Sequence, residues 1–384
     1  MAQDKDQKTL NVPPLRFPGF TDEWKTDRLS SYAKKIIRKN KGHSITNVLC
    51  NSANLGIIPQ SEYFDRDIAN SENTNAYYVI ECGDFVYNPR KSVSAPYGPV
   101  NLYDRPESGI ISPLYLCFRV KNISKDFLLR WFKGNSWHKY VYSHGDTGVR
   151  YDRVSIKDEI FLNMPILLPS IPEQEKIAKF LSLLDERIAT QNKIIEDLKK
   201  LKSAIYENIF NSLKGDIFSL ADVAEIIKGK QLNGEFQTET GDYYVMNGGI
   251  EPSGYYHAFN VSANTISISE GGNSCGYIQW NSVPFWSGGH CYTLNIKDKS
   301  IENKYLYHFL KSSEPEIMKL RIGSGLPNIQ KKDLERVSII IPTNSTQKEI
   351  VDLVDSIDCK IDTEYSISLL QLRQKAYLLS KLFI

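Results

Sequence analysis

A short apolar run, a proline and a long amphipathic stretch occur twice in this chain, and the two occurrences keep one register. Ile166-Leu167-Leu168-Pro169 aligns with Ile339-Ile340-Ile341-Pro342 at an offset of 173 residues. At the same offset Ser155-Ile156 aligns with Asn328-Ile329, Gln174 with Gln347, Ile177 with Ile350, Asp185 with Asp358, Ile188 with Ile361 and Phe210 with Phe383. A repeat this long restricts the fold to two copies of one module. Upstream, Leu29, Ala33 and Ile36 answer Leu220, Ala224 and Ile227 at an offset of 191, so the second globular half is shorter by 18 residues. Halves that differ in their loops while their tails stay in register describe one module used with two specificities.

The tails read as helices. Between Pro169 and Phe210 the apolar residues Ile177, Leu181, Leu184, Ile188, Ile195, Leu198, Ile205 and Ile209 recur in steps of three and four or their sums, one stripe along one helix. At about 1.5 Å per residue that helix reaches roughly 60 Å. The second stripe runs Ile350, Val354, Ile357, Ile361 and then takes an extra step to Tyr365, Leu369, Leu372, Ala376, Leu379 and Phe383. Such a stutter relaxes a left-handed supercoil. The fold class expected is mixed α/β, with two globular domains separated by two long antiparallel helices, a coiled-coil spacer holding the lobes at opposite ends. The boundaries expected are an arm at 1–20, lobes at 21–169 and 214–342, and helices at 170–213 and 343–384. Pro13, Pro14, Pro18 and Gly19 keep the arm irregular.

Composition excludes little. Lys and Arg number 47 against 45 Asp and Glu, and a net charge of +2 hides any local basic groove. No two of the six cysteines stand in a CxxC pattern, and no run of 18 apolar residues exists to span a bilayer. With a polar N-terminus, a reducing cytoplasm is the simplest compartment. Catalytic motifs are missing: there is no (N/D)PP(Y/F) tetrapeptide, no GxxxxGK[ST] and no HExxH, and Gly271–Gly276 (GGNSCG) lacks GxGxxG spacing and reads as a tight loop between strands.

What the sequence offers instead is loops suited to nucleic acid. Arg38, Lys39 and Lys41 follow the first short element, and Lys228, Lys230 and Gln231 follow its second copy. The loop at 88–109 carries Arg90, Lys91 and Tyr97, and the glycine-rich loop carries Asn273 and Ser274. Ser324 and Asn328 in Gly323–Asn328, with Arg150 ending a looser counterpart, look like a phosphate-holding turn at a helix start. Lys and Arg suit phosphates, whereas Asn and Gln suit base edges. For any one loop, ordinary solvated turn chemistry explains the residues as well; repetition in both halves brings the two readings level.

The junctions carry a family likeness. ILLPSIPEQEKIAKFL (Ile166–Leu181), its copy IIIPTNSTQKEIVDLV (Ile339–Val354), the opening VPPLRFPGFTDEWK (Val12–Lys25) and GSGLPNIQKKDL (Gly323–Leu334) resemble the specificity subunit of type I restriction–modification systems. The resemblance implies two target-recognition domains, each reading half of a bipartite, asymmetric double-stranded DNA sequence. It implies helices that dock two methyltransferase subunits, restriction subunits completing the complex, and S-adenosylmethionine bound by the partner, with no cofactor and no catalysis in this chain. The docking residues it implies are Glu173, Gln174 and Ile177 at the first junction and Gln347 and Ile350 at the second. Thr346 stands where the first junction has Glu173, so that contact is not repeated. Two other readings remain open: a stand-alone methyltransferase or nuclease with divergent motifs, and a scaffold that binds proteins and no DNA.

Overall fold

The computed structural model describes residues 11–63, 71–146, 151–323 and 325–383. Arg150, Ser324 and the first ten residues of the arm lie outside the described residues. The chain forms two compact units, 1–190 with 367–384 and 191–366, so each unit holds one lobe and a stretch of both long helices.

In the first unit ten strands form three sheets: β1 (Lys25–Arg28), β2 (Ala33–Lys35), β3 (Val48–Ser52), β4 (Gly56–Pro59), β5 (Tyr78–Ile80), β6 (Asp84–Tyr87), β7 (Val100–Leu102), β8 (Gly109–Ile111), β9 (Leu116–Val120) and β10 (Pro165–Leu168). The main sheet has the order β2-β9-β6-β7, the second β4-β3-β8-β5, and β1 pairs with β10. All four residues of β6 are buried, because it lies inside its sheet. The sequence YYVIECGDFVYN predicts two strands about Gly83-Asp84, and both form, but in different sheets. Gly83 (φ +90°) adopts the left-handed conformation and donates its N–H to the Tyr103 carbonyl, which steers the chain from one sheet to the other. Phe85, Phe118, Phe127, Phe132 and Phe161 fill the core with Trp24, Ile177 and Leu181.

The second unit repeats the plan with β11 (Asp216–Ser219), β12 (Ala224–Lys228), β13 (Tyr243–Met246), β14 (Gly254–Tyr256), β15 (Thr265–Ser269), β16 (Ile278–Asn281), β17 (Trp286–Ser287), β18 (Cys291–Ile296) and β19 (Ser338–Ile341). Its sheets run β12-β18-β15-β16, β14-β13-β17 and β11-β19. The main-sheet pairings recur, and the parallel β3–β8 contact recurs as β13–β17, but among the described residues no strand pairs with β17 as β5 pairs with β8. Strand register equates Ala33 with Ala224, Tyr87 with Ile268 and hence Pro89 with Glu270. Val154 donates to the Pro89 carbonyl and Ile329 to that of Glu270, so Val154 is the hydrogen-bonding counterpart of Ile329. The gapless sequence alignment matches Ile156 there instead; backbone pairing moves the register by two residues.

The long helices span Ile171–Ser212 and Asn344–Leu382. Within each unit they run antiparallel. In the first, Lys375 pairs with Asp185, and Leu378 and Leu382 join the core cluster of Leu181 and Leu184. In the second, Gln191 meets Glu364 while Lys202 meets Asp358. The first stripe is buried from Ile177 to Ile195. The second corrects the expectation of a stutter. Its buried face goes on through Glu364, Ser368, Gln371, Leu378 and Leu382, in steps of three and four or their sum, while Tyr365, Leu369 and Leu372 are about half exposed. Polar residues occupy the seam because they find partners in it: the Gln191 amide donates to both the carbonyl (3.2 Å) and the carboxylate of Glu364.

Candidate nucleic-acid interface

In the first unit the end of β6 and the end of β3 open into a cleft of about 400 Å³ lined by Asn51, Asn54, Asn88, Arg90, Lys91, Ser92 and Tyr115 among others. Its floor is a chain of buried amides. The Asn51 side chain donates to the Val86 carbonyl (2.8 Å), Asn88 donates to the Asn51 carbonyl (3.0 Å), and Asn101 donates to Asn51 Oδ1 (2.6 Å). The Lys133 ammonium donates to Asn101 Oδ1 at 2.6 Å, and desolvation there pushes it below the usual lysine range. Satisfied buried networks are rigid, so the cleft is preformed. Arg90 and Lys91 project above it. Among the described residues the ion-pair neighbour of Arg90 is the exposed Asp152 carboxylate at 3.9 Å, a weak pairing that a phosphate or a guanine edge can replace.

The other residues expected in this unit fall elsewhere. The Tyr97 ring packs on His138 (4.7 Å between centroids) and its carbonyl accepts from Tyr87 Oη, so Tyr97 helps to shape the loop. Arg38 lines a separate groove of about 590 Å³ with Lys34, Arg119 and Lys121, and it is paired with Glu81 at 2.9 Å. Lys39 is held by a backbone bridge to Tyr78, and Lys41 stands exposed in a short 3-10 turn.

The corresponding strand ends of the second unit carry different chemistry. Lys228 closes β12, and its ammonium meets Glu270 Oε1 at 2.7 Å. Tyr292 Oη donates to the same oxygen at 2.9 Å. Glu270 Oε2 is buried without a hydrogen-bond partner, and His290 Nδ1 lies 3.6 Å away. Burial pushes the Glu270 carboxyl up, but the Lys228 and Tyr292 hydrogen bonds and the charges of Lys228 and His290 outweigh it and hold the group below the usual carboxylate range. Lys230 is fixed by its backbone, donating to the Ser287 carbonyl (2.8 Å) and accepting from the Trp286 indole (3.0 Å), with its side chain exposed. The Gln231 amide lies over Gly289, where a Cβ would come within 2.3 Å of Gln231 Oε1. Gly229 is equally constrained, since a Cβ there would sit 2.1 Å from the Gly288 carbonyl oxygen.

Gly271–Gly276 is the tight connection between β15 and β16 that its composition predicts, with Asn273 exposed and Ser274 Oγ donating to the Gly248 carbonyl at 2.7 Å. The stretch ending at Asn328 is a correction. Ile322 and Asn328 exchange both backbone hydrogen bonds (2.8 and 3.0 Å), so the segment closes as a hairpin turn, and the next helix begins only at Lys331. Sequence reasoning missed Glu270 and His290; a lone glutamate and a lone histidine 20 residues apart carry no signal until the sheet brings their strand ends together. Among the described residues no group of three or more His, Cys, Asp or Glu could hold a metal ion, and no helix is long and apolar enough to cross a membrane.

The five residues expected to dock partners are also corrected. Glu173, Gln174, Ile177, Gln347 and Ile350 are all buried. Gln174 accepts from the Ser124 N–H (2.9 Å), at the start of helix Lys125–Lys133, and donates to the Pro169 carbonyl (2.9 Å). Gln347 does the same with the Glu302 N–H (2.8 Å), at the start of helix Asn303–Ser312, and the Pro342 carbonyl (3.0 Å). These glutamines staple each long helix to its own lobe. Glu173 takes both arms of Arg16 at 2.7 Å, and the irregular segment carrying Arg16 also packs Phe17 on Phe180. The large side chains that the long helices do leave exposed include Leu183, Leu201, Leu369, Leu370, Leu372 and Tyr377.

Comparison with known proteins agrees with this duplication. The family model described as the type I restriction modification DNA specificity domain matches twice, over residues 22–200 and 214–369. The chain is 34% identical over 146 residues to a putative type I specificity subunit of Mycoplasma pneumoniae, covering 38% of this chain and 39% of that relative. It is 24% identical over 294 residues to a putative type I restriction enzyme specificity subunit of Methanocaldococcus jannaschii, covering 67% of this chain and 64% of the relative. The chain thus spans less than two thirds of the length of these curated relatives. In fold it is similar to the crystal structure of a type I restriction–modification S subunit from M. genitalium, with a TM-score of 0.60 at 20% identity over 97% of this chain and 99% of that one. Two matches of one domain model, on the two units that the sheets define, place the chain in the type I restriction–modification DNA specificity family.

Proposed function

We propose that this chain reads DNA for a type I restriction–modification complex, one half of a bipartite, asymmetric target per lobe. One observation carries the reading: at equivalent strand ends of two lobes with one topology, the side chains differ in kind. The first lobe offers Arg90, Lys91 and a floor of amides; the second offers Lys228, Glu270 and His290. Equal frames with unequal donor and acceptor sets suit two different base sequences. The reading domains are 21–169 and 214–342, and the helical segments 170–213 and 343–384 serve as the spacer that fixes the gap between half-sites.

The chain itself is non-catalytic in this reading. Two methyltransferase subunits bind S-adenosylmethionine and methylate adenine, and restriction subunits complete the assembly in the cytoplasm. The methyltransferase subunits dock on the exposed apolar residues of the long helices, Leu369, Leu370, Leu372 and Tyr377 among them, since an uncovered apolar row on a helix suits a protein partner. Sequencing that reports modified adenines in cells carrying this chain and its methyltransferase tests the function. One bipartite motif that disappears on deletion of this chain is the expected result; methylation that is unchanged by the deletion overturns the reading.

A further inference from the structure

The Lys228–Glu270–His290 cluster has a property that its counterpart in the first lobe lacks. Lys228 and Glu270 neutralise each other at 2.7 Å, so a phosphate approaching them meets a pair with no net charge. His290 decides the balance. Its backbone is fixed, because its carbonyl accepts from the Glu270 N–H (2.9 Å) and its N–H donates to Asn247 Oδ1 (3.3 Å). Its ring is 58% exposed, and Nδ1 faces the one Glu270 oxygen that has no hydrogen-bond partner. Among the described residues Glu270 is the only acid in ion-pair range of His290, and Lys228 and Tyr292 share the other oxygen of that carboxylate. A proton on the imidazole puts a positive charge 3.6 Å from Glu270 Oε2, makes both ring nitrogens donors and leaves the cluster with one net positive charge.

We propose that this cluster is a proton-coupled phosphate site: Lys228 and His290 donate to one backbone phosphate of the DNA half-site read by the second lobe, and Glu270 is the positioning residue that holds both. The inference rests on the proposed function, and it adds that the second lobe takes up a proton when it binds. An anion beside the imidazole favours its charged form, so phosphate and proton bind together.

The test is binding of the full chain, assembled with its methyltransferase subunits, to a duplex carrying the methylated motif, measured from pH 8 to pH 6 and across salt. The parent complex is expected to bind up to about tenfold more tightly at pH 6 than at pH 8. His290→Gln, an exposed change that leaves folding intact, removes that pH dependence and lowers the salt slope at pH 6 by about 0.9. A parent affinity that is flat across this range, or a pH slope that survives in His290→Gln, overturns the proposal while sequence-specific binding leaves the proposed function standing. A parent complex without sequence preference overturns both.

Discussion

The two junctions between lobe and long helix share a glutamine and little else. Gln174 and Gln347 make the same two hydrogen bonds, accepting from the N–H of the residue that caps a lobe helix and donating to the proline carbonyl five residues back. Around them the junctions part. The first adds Glu173, locked by Arg16, whereas the second has Thr346 and no arm to pair with it. The glutamine therefore belongs to the module, and the ion pair belongs to the arm. A motif that recurs in sequence marked the staple of each module, not a surface offered to other proteins.

The largest effect expected concerns that staple. Gln174→Leu and Gln347→Leu each strand a buried N–H and a buried carbonyl, which costs about 2–4 kcal/mol in unfolding experiments. Equal losses keep the two modules equivalent; a loss confined to one would break the comparison. Next, Glu173→Ala leaves Arg16 without its partner and costs about 2 kcal/mol, whereas Thr346→Ala stays within about 0.5 kcal/mol. Similar values at both positions would mean that the arm contributes nothing to the first junction. Gln371→Leu is expected to stabilise by about 1 kcal/mol, because Gln371 Oε1 is buried without a partner, and a melting temperature that falls would show that this oxygen has one. The smallest effect on stability belongs to Leu372→Glu, within about 0.5 kcal/mol for a residue about half exposed. Its readout is co-purification with the methyltransferase subunit, which the change should reduce; undiminished capture would move the docking surface elsewhere.

Periodicity made much of this molecule legible. The first helical stripe, the two copies and the short strands before each proline all follow from the spacing of apolar residues. The second stripe shows where that logic stops. Between Ile361 and Leu378 the apolar residues step off the buried face, and a reading that sends apolar residues inward follows them. The true seam stays in register and is filled by Glu364, Ser368 and Gln371; Glu364 is buried there because the Gln191 amide awaits it, whereas Gln371 Oε1 is buried without a partner. The candidate DNA contacts divide in the same way. Lys228 and Arg90 are found because basic residues near turns stand out in a sequence. Glu270 is not, because its importance comes from three strand ends that only the folded sheet brings together. Gly323–Asn328 misleads for a related reason: glycine, serine and asparagine suit both a phosphate loop and a hairpin, and only the pairing of Ile322 with Asn328 chooses between them.

The contact between Gln191 and Glu364 joins residues 173 apart, the same interval that separates the two copies. Each is the other's counterpart, so this position meets its own image. A perfect duplicate would set two glutamates, or two glutamines, against each other in a site that is less than a tenth exposed. Two carboxylates there would repel, and a change at one partner would be felt at once by the other. The ion pairs between the copies, Lys375 with Asp185 and Lys202 with Asp358, join two different positions of the repeat. Between Gln191 and Glu364 one copy's choice limits the other's, and as long as Glu364 carries a charge, position 191 must answer with a donor.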